Sequence, residues 1–214
     1  ITPNKEDQTL TISDTGIGMT ADEMVRNLGT IAQSGAREFV KAAQQAGKNV
    51  TDLIGQFGVG FYSAFMVAEW ISVVSHSYQK DAQAAVWFCT GSDPYTVAQT
   101  EKEGRGTDVI IKLKDDAKEF LEEYKLREII RKHSDFIPFP IYIGENTEQA
   151  NRQTAIWRQN PREVEAKDYQ EFYQQLTLDF EEPLTHSHLV VDAPVQLYSI
   201  LYVPAKPERN VFSL

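Results

Sequence analysis

In "QTLTISD" (8–14), Leu10 and Ile12 alternate with polar neighbours, the period of a half-buried strand, and the run closes on Asp14. The polar "TADEMVRNLG" follows with Thr20 and Glu23 at capping-box spacing, which predicts a short helix to about Gly29. "AREFVKAAQQAG" (36–47) predicts a second helix with Gly47 as its stop. Between Gly60 and Ala68 the apolar residues Phe61, Ala64, Phe65 and Ala68 recur at helical spacing, so a buried helix is expected. "WISVVSHS", "AAVWFC" and "TDVIIKL" read as strands, and Asp116 and Glu119 cap a helical region reaching toward His133. A later helix near 167–176 places Tyr169, Phe172, Tyr173 and Leu176 at core-facing spacing. The strands "HLVVD" and "VQLYSILYV" come last, the latter with Val195, Leu197, Leu201 and Val203 on one face. Helices and strands mix without strict alternation, which predicts α+β layers, helices lying on a mixed or antiparallel sheet.

Glycine and proline divide this pattern. Eight of the 12 glycines lie between Gly16 and Gly60, and seven of the nine prolines lie from Pro138 onward. The chain is therefore expected to hold a glycine-rich first domain (1–140), a short polar connector (141–153) and the beginning of a second domain (154–214). Neither end looks natural: the sequence opens at Ile1 without methionine and stops at "NVFSL" without a cap or polar tail, so both ends read as cut.

Composition narrows the function classes. A hydrophobic content of 42% over 214 residues is enough for a core. The formal charge of -10 gives little to gain from counterion release, which argues against nucleic acid as a partner. No stretch has the length of a membrane span, so no membrane partner is expected. A single cysteine, Cys89, excludes an internal disulfide and fits a reducing, cytoplasmic setting. It sits in an apolar strand and reads as a small buried hydrophobe.

The chemistry concentrates in two glycine-bearing motifs. "SDTGIGM" (13–19) places Asp14 at a strand end before two glycines, where backbone can approach a flat ligand closely. An ionised Asp only accepts hydrogen bonds, which suits the exocyclic amine of adenine, and Met19 offers soft apolar surface for the ring. The same residues would also make an ordinary tight turn. "GQFGVGF" (55–61) sets Gly55, Gly58 and Gly60 before an apolar segment, so that a helix N-terminus would offer N–H groups to phosphate, or the run is a plain loop. It lacks the Gly-Lys-Ser/Thr of a Walker loop. The segment between the motifs, bracketed by Gly29 and Gly55, could swing as a lid. In "GRGTDVIIKL", Thr107 could reach adenine through water or be a plain bulge threonine.

Together, "DTGIGMTADEMVRNLGTIAQSG", "IGQFGVGFYSAFMVA" and "GTDVIIKL" resemble the heat-shock protein 90 chaperone family in its bacterial or organelle-like short form. "IWRQNPREVEAKDYQEFYQQLTLDFEEPLTHSH" and "SILYVP" resemble the start of that family's middle domain. The resemblance implies a Bergerat-type ATP-binding fold lacking its first strand and helix, followed by the start of a second α/β domain. It implies that Asp14 binds the adenine amine, with Gly18 and Met19 in the base pocket and Asn27 near ribose and phosphates. Gly58, Gly60 and Phe61 would contact phosphate through backbone, and Thr107 would complete the base site. Gln33 stands where the family usually has a basic residue, so this lid contact with phosphate should be weaker. ATP and ADP are the implied ligands, and unfolded or partly folded client proteins the implied partners.

The resemblance also defines what should be missing. The family's catalytic Glu and its magnesium-binding Asn would lie upstream of Ile1, so neither a catalytic nor a metal residue is assigned, and Mg2+ would depend on a ligand outside this chain. The homodimer of the full-length protein would form through a domain beyond Leu214. The expectation is an ATPase family in which these 214 residues alone hydrolyse ATP poorly, bind nucleotide weakly and fold with marginal stability. Sensor histidine kinases and the ATPases of topoisomerases and mismatch repair share the nucleotide fold, but the acidic balance and the "IWRQNP" continuation argue against them. A scaffold that has lost nucleotide binding is the non-enzymatic alternative. His186 and His188 would share a strand face and read as a surface pair, since no third ligand is near in sequence.

Overall fold

The computed structural model describes residues 1–30, 55, 57–191, 193 and 195–206, which form two compact units: Ile1–Ile130 with Ile141–Gln149, and Arg131–Pro140 with Ala150–Leu214. The helix expected over 36–47, and with it most of the lid segment, falls outside the described residues.

The first unit is built on a six-stranded sheet of β1 (Thr2–Asn4), β2 (Thr9–Asp14), β3 (Ala68–His76), β4 (Ala85–Cys89), β5 (Thr96–Gln99) and β6 (Gly106–Leu113). The spatial order is β1-β2-β6-β3-β4-β5, and every pair is antiparallel. Because opposed residues share a face, the register sorts one face into rows. Leu10, Ile111, Ile71 and Cys89 form one row, and Ile12, Val109, Val73 and Trp87 the next. The last row, at the end of the sheet, is Asp14, Thr107, Ser75 and Ala85. Two largely apolar rows therefore back a mostly polar one.

Helices cover this face. α1 (Ala21–Leu28) starts at Thr20, whose hydroxyl accepts from Glu23 N–H while the Glu23 carboxylate accepts from Thr20 N–H, the predicted capping box. Its Met24 is fully buried. Over Trp87 lie Phe61, at 5.6 Å between ring centroids, and Tyr95, stacked at 5.8 Å. The expected buried helix from Gly60 to Ala68 is a 3₁₀ helix over Gly60–Met66, none of whose residues is fully buried. The sheet takes the end of that segment: Ala68 pairs with Leu113, and a bulge between Ala68 and Trp70 starts β3, leaving Met66 78% exposed. The expected helical region before His133 is a 3₁₀ helix over Asp115–Leu121 followed by α2 (Glu123–His133). Cys89 is half-buried, with its thiol 3.6 Å from the Asp93 carbonyl oxygen, not the core residue expected.

In the second unit, α3 (Ala166–Thr177) packs Tyr169 and Tyr173 against a hairpin of β7 (Thr185–Val191) and β8 (Leu197–Val203). His186 stacks on the Tyr169 ring at 4.0 Å, His188 Nδ1 lies 2.7 Å from its hydroxyl, and Tyr202 Oη donates to the Tyr169 carbonyl at 2.8 Å. The two histidines are thus spacers around one tyrosine. The other hairpin face carries Leu197, Leu201 and Val203, all exposed, and Leu176, expected in the core, is exposed as well.

Candidate functional site

Asp14 ends β2 and is exposed, and its Oδ1 accepts the Gly16 N–H at 2.8 Å, which turns the chain sharply out of the sheet. The turn is then pressed onto β3. Tyr78 N–H donates to the Ile17 carbonyl at 2.7 Å, and Met19 N–H donates to Ser75 Oγ at 2.8 Å. Gly18 makes this approach possible: its φ is +63°, and a Cβ there would stand 1.9 Å from the His76 carbonyl oxygen. Gly106 does the same for β6, where a Cβ would meet the Asp14 carbonyl oxygen at 2.0 Å.

Thr107 lies directly opposite Asp14 and is buried, its Oγ1 2.8 Å from Ser75 Oγ. Asp14, Gly18, Met19 and Thr107 are thereby joined into one cluster at the polar end of the sheet face. Ser75, which joins them, carries no motif and was not among the expected residues. The signal was present: Ile71, Val73 and Ser75 alternate on one face, so Ser75 is a polar residue at an inward position and must find partners there.

The second group of expected residues sits at the other end of α1. Asn27 is half-buried in its last turn. Gly55 and Gly58 adopt φ of +83° and +63°, and the chain then enters the 3₁₀ helix at Gly60, whose first N–H groups have no acceptor within the helix. Tyr62 Oη donates to the Leu28 carbonyl at 3.0 Å, which ties this helix to the end of α1. Burial, and then the neighbouring Tyr95 and Cys89, push the Tyr62 phenol above the usual range, so it remains the donor in this bond. The Phe61 ring is committed to Trp87, which leaves its backbone for any ligand. Gln33 lies outside the described residues.

Among the described residues, no group of three or more His, Cys, Asp or Glu is placed to hold a metal ion. None of their helices is long and apolar enough to cross a membrane. A cavity of about 310 Å³ does lie in the second unit, lined by residues such as Phe136, Arg152, Asp168 and Phe172. It contains none of the expected nucleotide residues, and its mixed charges define no ligand.

An antiparallel sheet with helices on one face, an acidic strand end and a glycine-rich run entering a helix make this an α+β ATPase-type nucleotide fold. Residues 1–107 match the model of the histidine kinase-, DNA gyrase B- and HSP90-like ATPases, and residues 144–214 match that of Hsp90 protein. Among curated relatives, a chaperone protein HtpG of Desulfitobacterium hafniense is 43% identical over 95% of the chain and 33% of its own length. One of Natranaerobius thermophilus is 41% identical over 100% of the chain and 37% of its own length. One of Vibrio atlanticus is 43% identical over 95% and 34% respectively. The chain belongs to the heat-shock protein 90 family within this ATPase class, and it spans about a third of the length of these relatives.

Proposed function

We propose that the chain is the nucleotide-binding part, with the opening of the next domain, of an ATP-dependent chaperone. In this reading residues 1–140 form the nucleotide domain, 141–153 connect, and 154–214 begin the second domain. Asp14 accepts the adenine amine, Gly18 and Met19 pack against the base, and Thr107 completes its edge. α1, about 12 Å long at 1.5 Å per residue, runs from the base cluster toward Asn27, Gly58, Gly60 and the Phe61 backbone, a span on the scale of a nucleoside diphosphate. Gln33 is assigned to the phosphate side. The observation that carries the proposal is the polar row itself, in which an exposed carboxylate and a buried hydroxyl face each other where the apolar rows end.

The named function of the relatives, chaperone protein HtpG, supports the wider reading. Clients are then unfolded or partly folded polypeptides, ATP is hydrolysed with magnesium held by ligands other than the described residues, and the protein acts as a homodimer in the cytoplasm during stress. Calorimetric titration of ADP into the unaltered chain and into Asp14→Asn tests the base assignment. Hydrogen bonds to charged groups contribute about 1.5–3 kcal/mol, so the variant should bind roughly ten- to a hundredfold more weakly. Equal affinity would remove Asp14 from the site.

A further inference from the structure

Ser75 is the most constrained hydroxyl beside the proposed site. Its side chain is fully buried. Its oxygen receives the Met19 N–H at 2.8 Å, lies 3.1 Å from the Gly106 carbonyl oxygen, and lies 2.8 Å from Thr107 Oγ1. A serine hydroxyl has one proton and two lone pairs. The Gly106 carbonyl can only accept, whereas Thr107 can donate or accept. The Ser75 oxygen lies in reach of the Gly106 carbonyl as a donor, and when its proton goes there its two lone pairs take the protons of Met19 N–H and the Thr107 hydroxyl. Thr107 has then spent its only proton inward and presents a ligand with lone pairs alone. Opposite it, the Asp14 carboxylate is also an acceptor only.

We propose that Ser75 is a positioning residue that determines base specificity: by taking the Thr107 proton, it turns the Asp14–Thr107 pair into an edge that selects an amino-bearing purine and rejects an oxo-bearing one. The inference rests on the nucleotide reading above and adds the group that fixes the polarity of the pair. An oxo purine would set its carbonyl oxygen against the lone pairs of the exposed Asp14 and the buried Thr107 and leave both unpaired, the situation in which hydrogen-bonding sites discriminate strongly. Without Ser75 the Thr107 proton loses its acceptor and can rotate toward the ligand, so the same hydroxyl would serve an oxo group.

Calorimetry with ADP and inosine diphosphate, which carry an amino and an oxo group at the same ring position, reads this directly. The unaltered chain should prefer ADP. In Ser75→Ala the ratio of the two affinities should fall at least roughly tenfold, and Ser75→Thr, which keeps the hydroxyl, should restore it. Should Ser75→Ala not fold, Ser75→Cys gives the same reading, since a thiol is a weak donor and acceptor. An equal loss for both nucleotides, or an unmoved ratio, would make Ser75 a purely structural residue and overturn the proposal. Failure of the unaltered chain to bind either nucleotide, even at the high concentrations that weak binding calls for, would instead fell the nucleotide reading, and this inference with it.

Discussion

A methyl group added at Gly18 measures what it costs to hold the Asp14–Met19 turn against β3. Two penalties act there. The φ of +63° is left-handed, which costs an L-residue about 1–2 kcal/mol. The new Cβ would also stand 1.9 Å from the His76 carbonyl oxygen and 2.6 Å from its carbon. That obstacle is backbone, fixed by the pairing of His76 with Gly106 and by the Tyr78–Ile17 hydrogen bond, so it cannot rotate away. Overpacking of this kind costs about 1–3 kcal/mol. Gly104 separates the two effects, since it has φ of +64° but nothing within 4 Å of an added Cβ. Gly60 lacks both, having neither a left-handed φ nor a neighbour within 4 Å. Urea unfolding of the three alanine variants should place Gly18→Ala about 2–5 kcal/mol below the unaltered chain. Gly104→Ala should fall about 1–2 kcal/mol below it. Gly60→Ala should be neutral or gain up to about 1 kcal/mol from reduced unfolded-state entropy. Against a typical total of about 5–15 kcal/mol, the Gly18 loss would be plain. A Gly18→Ala value within about 0.5 kcal/mol of Gly104→Ala would refute the close approach of turn and strand.

Other consequences can be checked more simply. Thr20→Ala removes half of the capping box and should cost about 1 kcal/mol in denaturant unfolding, whereas Thr20→Ser should largely retain it. Leu113, with no exposed surface, should lose about 2–5 kcal/mol on truncation to Ala in the same assay, whereas Leu201→Ala, at 61% exposed, should stay within about 0.5 kcal/mol. Burial, and then the neighbouring Tyr169, push the Tyr202 phenol up from 10.0 to about 12. The folded state then keeps a proton that the unfolded chain has released, so this contribution is intact below pH 10 and lost as pH rises toward about 12. Tyr202→Phe should flatten that alkaline decline in a circular-dichroism titration, and an unchanged profile would refute the assignment.

Local chemistry was legible where one segment decides its own structure. Thr20 and Glu23 cap α1 because their spacing is set within a single turn, and β2 ends at Asp14 because alternation stops there. Tyr169 and Tyr173 were readable from helical spacing alone. β1, three residues including Pro3, and β5, "TVAQ", carry no alternation of their own and exist because β2 and β4 offer them ladder partners. The segment 60–68 kept helical spacing, but its geometry was decided by where β3 must begin, a constraint imposed by β6, whose Leu113 lies 45 residues beyond its partner Ala68. Leu176 and the Leu197–Val203 face follow apolar periodicity yet stay exposed, since periodicity names a face without naming what covers it. Ser75 escaped because its role appears only once three strands are aligned.

The two oxygens of Asp14 have separate duties. Oδ1 holds the Gly16 amide and so maintains the bend, while among the described residues Oδ2 takes no hydrogen bond from protein. An asparagine could keep its carbonyl on Gly16 and turn an NH₂ outward in place of Oδ2. On the proposed nucleotide reading, exchange of this one group would replace an outward acceptor by a donor while leaving the bend standing, so ligand preference and local shape could diverge independently through evolution or redesign.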